Sequence, residues 1–127
     1  MTENDQWGKI ISKETANQDF GPAVFSISVT SEQMKSFASK TSFLLMFKII
    51  DNRLFILGDD RKPIYPEGEV PPQETVFKVF SKDKIRELLD TGGDTNNFVE
   101  LRADTLTITN SDKTLEFGSM CPPWCTA

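Results

Sequence analysis

One pattern of strands and helix occurs twice in this sequence, and it constrains the possible fold more than any other feature. In each copy a strand leads into a helix that three further strands follow, which makes a βαβββ unit. The copies cover approximately residues 23–65 and 75–118. A single unit cannot bury the apolar face of its helix, so we expect two copies to pack together around a shared core.

The first copy is marked by an alternating strand and a helix start signal. Phe25, Ile27 and Val29 alternate with serine and threonine, which is the period of a half-buried strand. Thr30, followed three residues later by Gln33, has the spacing of a capping box, and apolar residues at helical spacing come next. The sequence therefore predicts a helix that Thr30 opens and that ends near Lys40.

Polar turns separate the remaining strands of this copy. A large apolar run, Ser42–Ile50, is followed by the turn Asp51–Arg53 and a second apolar run, which is typical of a β-hairpin. Lys62–Tyr65 supplies a short third strand, and the proline-rich stretch Pro66–Gln73 is predicted to be a connector.

The second copy follows the same order. Phe77 and Val79 mark a strand, Ser81 is a predicted N-cap, and Gly92 with Gly93 is predicted to stop the helix. Three strands then extend to about residue 117, separated by turns at 103–105 and 110–112. Neither glycine belongs to a phosphate-binding loop, because the pair follows a helix and no Lys with Ser or Thr comes after it.

Equivalent positions of the copies lie at nearly constant separations. Ile27 and Val29 precede Phe77 and Val79 by 50 residues, the helix faces are separated by 51, and the later strands by 52. Chance alternation of apolar and polar residues is the competing explanation. We predict an α+β fold made of two βαβββ units side by side, with mainly antiparallel sheet and two helices on one side.

The length and the two ends complete this organisation. The 127 residues are predicted to form a single domain, 1–127, in which 1–20 is an N-terminal arm or edge strand and 119–127 is a tail. No apolar run approaches the roughly 18 residues of a membrane span, and the first residues do not resemble a secretory signal. We expect a cytoplasmic protein with no membrane partner.

Histidine and cysteine, two residue types that often carry catalysis or bind metals, are absent and few, respectively, in this chain. The chain has no histidine, and Cys121 with Cys125 cannot complete a tetrahedral site alone. Asp51, Asp59 and Asp60 lie in predicted turns, where backbone hydrogen bonding explains them better than a metal does. We predict no cofactor, no metal and no enzymatic activity; a hydrolase based on carboxylates is the less favoured alternative.

The residues that link strand to helix resemble a known family. The strand Val76–Phe80 leading into Ser81–Leu89, together with the hairpin Val99–Asp112, is similar to one domain of the DNA sliding clamps. The resemblance covers about residues 23–118. It implies a ring around duplex DNA, with basic side chains of the helices touching phosphates without reading bases. Clamp subunits contain more than one such domain, so a ring of this chain would need several copies.

The resemblance and the helix pattern select the same basic residues as DNA-facing. The net charge of −5 does not support a broad grip on nucleic acid, but a local basic face is compatible with it. An ordinary solvated surface is the alternative explanation for these side chains. The candidates are Lys35 and Lys40 on the first helix and Lys82, Lys84 and Arg86 on the second.

The tail carries the candidate protein-binding residues Pro122, Pro123 and Trp124. Trp124 is predicted either to cover the edge of the core or to dock a partner, and a redox role for the neighbouring cysteines is less favoured. Two functions follow. The first is a non-enzymatic clamp-like module that self-associates through sheet edges and binds duplex DNA or serves as a platform for replication or repair proteins. The alternative is a small acidic adaptor or inhibitor that docks a protein partner.

Overall fold

The computed structural model describes residues 8–72, 75–103, 105–116 and 119–121, the last group by its backbone alone. Its helices are α1 (Lys13–Phe20), α2 (Ser31–Ser39) and α3 (Lys82–Gly92), and a short 3-10 helix covers Asp59–Arg61. The strands are β1 (Lys9–Ser12), β2 (Phe25–Thr30), β3 (Leu44–Ile50), β4 (Arg53–Leu57), β5 (Pro63–Tyr65), β6 (Phe77–Ser81), β7 (Asn96–Leu101), β8 (Leu106–Asn110), β9 (Lys113–Glu116) and β10 (Ser119–Cys121).

These strands form two five-stranded sheets. Sheet A has the order β1-β9-β8-β7-β2, and sheet B has the order β10-β6-β3-β4-β5. Every neighbouring pair runs antiparallel. The predicted α+β class with mainly antiparallel sheet is confirmed. No helix within the described ranges is long and apolar enough to cross a membrane.

The two halves of the chain are interleaved. The first strand of each half leaves its own three-stranded meander and pairs with the other half, β2 with β7 and β6 with β3. Helices α2 and α3 contact each other. One apolar core is shared by both helices and by strands of both sheets, and its largest fully buried members include Phe47, Phe80, Met34, Ile85, Leu88 and Ile108.

Residues at equivalent positions make the same hydrogen bonds across the halves. The N–H of Ser31 donates to the carbonyl of Thr95 at 2.8 Å, and the N–H of Lys82 donates to the carbonyl of Phe43 at 2.8 Å. Ser31 and Lys82 each begin a helix and are 51 residues apart, whereas Phe43 and Thr95 are 52 apart. Each helix start is therefore tied to the loop that precedes the other half's meander.

Strand register gives the same correspondence. Thr30 lies opposite Asn96 in the β2–β7 pair, and Ser81 lies opposite Leu44 in the β6–β3 pair. Thr30 and Ser81 are the two N-caps and are 51 residues apart. The first strands of the halves therefore correspond at a separation of 51.

This register corrects the separation of 50 that the sequence predicted for the first strands. Val29 corresponds to Phe80, and both reach the core beneath the helices. Phe77 and Val79 belong to a second buried apolar cluster, on the other face of sheet B. The predicted match of Ile27 and Val29 with Phe77 and Val79 was wrong by one residue, and in a strand one residue exchanges the two faces.

The ends of the described chain add elements outside the two units. The sequence left residues 1–20 as an arm or an edge strand, and within this segment β1 pairs with β9 at the edge of sheet A. Helix α1 follows it and was not predicted, because only Ala16 of its eight residues is buried and no apolar stripe marks it. Residues 119–121, assigned to the tail from sequence, form β10 and pair with β6.

The predicted capping box at the start of α2 is confirmed, and it leads to a stability prediction. Thr30 Oγ1 accepts the N–H of Gln33 at 3.0 Å, and Gln33 Oε1 accepts the N–H of Thr30 at 3.0 Å. Thr30→Ala should lower the free energy of unfolding by about 1 kcal/mol, because one orphan N–H loses its acceptor. Thr30→Ser is the control and should be nearly neutral; urea denaturation measures both, and equal losses would contradict this role.

Candidate functional site

The candidate site is the solvent-facing side of α2 and α3, which we name the helix layer. The apolar residues of α2 and α3 point into the core, so the charged residues of both helices face outward. Lys35 and Lys40 are exposed at α2 and directly after it, and Arg86 is exposed on α3. The structure therefore brings three of the five predicted DNA-facing residues to the surface as exposed side chains.

The other two predicted residues are partly engaged within the protein. Lys82 is half-buried, and its Nζ donates to the carbonyl of Thr41 at 2.9 Å, which joins the two halves. Lys84 Nζ lies 3.5 Å from Glu87 Oε1 on the same helix. These two side chains would have to exchange an existing contact for a phosphate, whereas Lys35, Lys40 and Arg86 would not.

Four acidic residues share the helix layer and were missed as part of the site. The layer contains the five basic candidates and four carboxylates, so its net charge is +1, and the rest of the chain has a net charge of −6. The signal was present in the sequence as charged neighbours on the same helices. The helix layer is therefore much less acidic than the rest of the protein without being strongly basic. The carboxylates belong to Glu32, Asp83, Glu87 and Asp90.

A buried polar cluster ties α1 to sheet A. Arg102 is fully buried, and its Nη1 donates to Asn17 Oδ1 at 2.7 Å and to the carbonyl of Gly21 at 2.6 Å. Its Nη2 donates to Glu100 Oε1 at 3.0 Å. This guanidinium therefore fastens the end of α1 to the strand β7.

The carboxylate of this cluster is held by hydroxyl groups as well. Glu100 Oε1 accepts from Thr107 Oγ1 at 2.9 Å and from Thr109 Oγ1 at 2.6 Å. Oε1 of Glu100 is thus bonded to one arginine and two threonines, and the cluster joins a helix to a sheet.

A second buried polar cluster joins the halves at the end of α3. Asn110 Oδ1 accepts the N–H of Asp94 at 2.9 Å, and its Nδ2 donates to Asn97 Oδ1 at 2.8 Å. Asn97 Nδ2 donates in turn to the carbonyl of Val29 at 3.2 Å and to Ser31 Oγ at 3.1 Å. The amides therefore connect β7 and β8 with the junction of β2 and α2.

The predicted helix stop lies beside this cluster. Gly93 has φ 75° in the left-handed region, and its N–H donates to the carbonyl of Leu89 at 3.2 Å, as expected of a C-cap. Gly92 is required for a different reason, since a Cβ there would lie 2.1 Å from Asn110 Oδ1. One glycine ends the helix and the other makes room for Asn110.

The turn aspartates act on the backbone. Asp59 accepts the N–H groups of Ser42, Phe43 and Leu44 at 3.1 to 3.3 Å, and so holds the start of β3. Asp51, in the turn between β3 and β4, and Asp60, in the short 3-10 helix, both have positive φ. Among the residues that the structure describes, no group of three or more acidic or cysteine side chains is placed to hold a metal ion.

A cavity of about 290 Å³ is lined by residues of β3, of β6 and of the β7–β8 connection. Its lining includes Phe47, Phe77, Leu101, Leu106, Lys78 and Arg102. Lys78 Nζ donates to Thr105 Oγ1 at 3.0 Å and is paired with Glu116 Oε1 at 3.1 Å. Lys78 and Arg102 are thus bonded within the protein, and Lys48 is a third cation of the lining.

The predicted partner-binding residues Pro122, Pro123 and Trp124 lie outside the described residues. The structure fixes where that segment begins, because Cys121 at the end of β10 lies opposite Phe77 of β6.

Comparisons of this chain with protein-family models, with curated proteins and with solved structures gave no match.

Proposed function

We propose that this protein is a non-enzymatic, clamp-like module that self-associates and contacts the phosphates of duplex DNA through its helix layer. The observation that carries the proposal is the joint layer of α2 and α3, in which Lys35, Lys40 and Arg86 are exposed together. Interleaving of the halves holds the two helices in this arrangement. Each buried polar cluster is engaged in contacts between elements, which favours a binding role over catalysis.

The charge of the layer limits what one copy can do. Each phosphate contact displaces counterions and contributes a slope of about −0.9 to the dependence of log affinity on log salt. A single layer has a net charge of +1, so one copy should bind duplex DNA weakly. Several copies that present their layers together would add their basic groups along one phosphate backbone.

A triple charge reversal tests the helix layer. Lys35→Glu/Lys40→Glu/Arg86→Glu should abolish retention of duplex DNA at low salt, because three exposed cations become anions. The matched control is Lys9→Glu/Lys13→Glu/Lys62→Glu, which gives the same net charge from exposed residues outside the layer. Fluorescence anisotropy with labelled duplex over a salt series measures both. Equal loss in the two variants, or no binding by the unaltered chain, would contradict the proposal.

A protein-interaction factor is the second candidate function. It is favoured by the four acidic residues of the helix layer and by exposed apolar side chains, of which Phe43 is 65% and Val70 77% exposed. Its proposed docking segment is the tail with Trp124. Removal of residues 122–127 should then leave the melting temperature nearly unchanged, whereas a large decrease would mean that the tail covers the core.

A further inference from the structure

The equivalent strands β2 and β6 differ in what lies along their outer edges. β6 is a central strand, with β3 on one side and β10 on the other. β2 pairs with β7 on one side, and within the described ranges no strand pairs with its other edge. The same structural position is therefore filled in the second half of the chain and open in the first half.

The filled edge shows what kind of segment this position accepts. β10 pairs antiparallel to β6, with Ser119 opposite Val79 and Cys121 opposite Phe77. At the separation of 51 residues, the β6 positions that receive β10 correspond to 26–28 of β2. The equivalent of β10 at β2 would be an extended antiparallel strand along these residues.

The sequence of β2 does not protect its edge. The strand Phe-Ser-Ile-Ser-Val-Thr contains no charged residue and no proline, the devices that usually prevent edge-to-edge pairing. β5, the edge strand at the far side of sheet B, is only three residues long, begins with Pro63 and is followed by Pro66. β2 is thus better suited than β5 to accept another strand, and β1, the other edge of sheet A, begins with the charged Lys9.

We propose that two copies of this chain associate through β2, strand against strand, around a two-fold axis perpendicular to sheet A. The alternation of β2 makes it complementary to itself: Phe25, Ile27 and Val29 face the core side, and the serines face the other side. Pairing centred on Ile27 places apolar residues opposite apolar ones. Because β2 is uncharged, no like charges meet in a protein of net charge −5.

The proposed dimer has a consequence for the helix layer. A two-fold axis perpendicular to the sheet keeps the core side of both copies on the same side, so sheet A would become a continuous ten-stranded sheet with both helix layers on one side. The exposed basic groups would then be doubled on one surface. This inference rests on the proposed function only for the statement that copies of the chain self-associate. Its test measures association in the absence of DNA.

The expected affinity is modest. One pair of six-residue strands buries little surface, and interfaces below about 1,200 Å² are typical of transient complexes. We therefore expect self-association in the micromolar range, with monomer at low concentration and dimer at high concentration.

Two double variants of β2 test the pairing by sedimentation equilibrium. When Ile27 faces Ile27 of the second copy, Ser26 lies opposite Ser28, so Ser26→Glu/Ser28→Glu places like charges across the interface twice. Association should weaken about tenfold or more, since each such pair opposes pairing. Ser26→Lys/Ser28→Glu instead places opposite charges together and should preserve the dimer.

The unaltered chain should change from 14.3 kDa toward twice that mass as its concentration rises. A constant mass of 14.3 kDa into the hundreds of micromolar, or equal association of the two variants, would overturn the inference. Ser26 and Ser28 are exposed, so both variants should fold, and thermal denaturation checks this. A dimer that fails to bind DNA would refute the DNA role alone, and a monomer that binds DNA would refute the β2 pairing and self-association but not the DNA contact of the helix layer.

Discussion

Arg102→Met should lower the free energy of unfolding by about 3 to 5 kcal/mol, the usual cost of leaving a buried charge without its partner. The guanidinium is fully buried, and it bonds Glu100, Asn17 and the carbonyl of Gly21. Methionine fills a similar volume but provides no donor. The carboxylate of Glu100 and the end of α1 would both lose their main contact, and urea denaturation followed by circular dichroism measures the loss.

An exposed arginine provides the matched control. Arg53 is paired with Glu69, and both side chains are about half exposed, 55% and 45%. Arg53→Met should therefore cost at most about 1 kcal/mol. Adding Glu100→Gln to Arg102→Met should recover part of the stability, because it removes the buried carboxylate that has lost its arginine partner. Similar small losses for the two arginine variants would show that the buried cluster does not hold α1.

Gly92→Ala should destabilise the protein by about 3 kcal/mol, although alanine is normally favoured over glycine in a helix. The new Cβ would lie 2.1 Å from Asn110 Oδ1 and 2.6 Å from its Cγ. Asn110 would have to move, and its bonds to Asp94 and Asn97 would break in a buried site. Differential scanning calorimetry would register the change as a lower melting temperature.

Asn110→Gly supplies the control for this close contact. It removes the side chain that the alanine meets, so the double variant Gly92→Ala/Asn110→Gly should be about as stable as Asn110→Gly alone. In the first half the glycine and the larger residue exchange places: Thr41 is equivalent to Gly92, and Gly58 to Asn110. A Cβ on Gly58 would lie 2.9 Å from Thr41 Oγ1. If the effects of the two substitutions simply added, the two positions would not be in contact.

Local signals predicted most of the two units. The capping box at Thr30 begins α2, and the turn at Asp51 and Asn52 closes the β3–β4 hairpin with Ile50 opposite Arg53. Such signals involve only a few neighbouring residues, so they can be recognised in the sequence without knowledge of tertiary contacts. The α+β class was predicted from the order of these signals. Alternating segments and segments with helical spacing follow one another in the sequence as the strands and helices do in the structure.

The features that the sequence missed depend on distant contacts. Helix α1 is held to sheet A by the bond between Asn17 and Arg102, 85 residues apart, and its own sequence has no apolar stripe. The error of one residue between β2 and β6 has a similar cause. Alternation shows that a strand has two different faces, but only pairing with β7 and β3 decides which face meets the helices.

The candidate site was only partly predicted, because the sequence does not show which basic side chains are already bonded within the protein. Basic residues on α2 and α3 could be selected by helical spacing, and Lys35, Lys40 and Arg86 are exposed as expected of surface cations. The bond from Lys82 to the carbonyl of Thr41 spans the two halves and has no local signature. The acidic residues of the same helices were readable and reduce the charge of the layer to +1.

Amide hydrogen exchange along β2 and β6 tests the central claim that equivalent edges are filled in one half and open in the other. In a dilute sample, the amides of β6 within sheet B should be protected, whereas those of β2 that point away from β7 should exchange rapidly, except that of Thr30, which donates to Gln33. At high concentration the β2 amides should become protected as copies pair. Protection of all β2 amides in the dilute sample, or rapid exchange that persists at high concentration, would contradict the account.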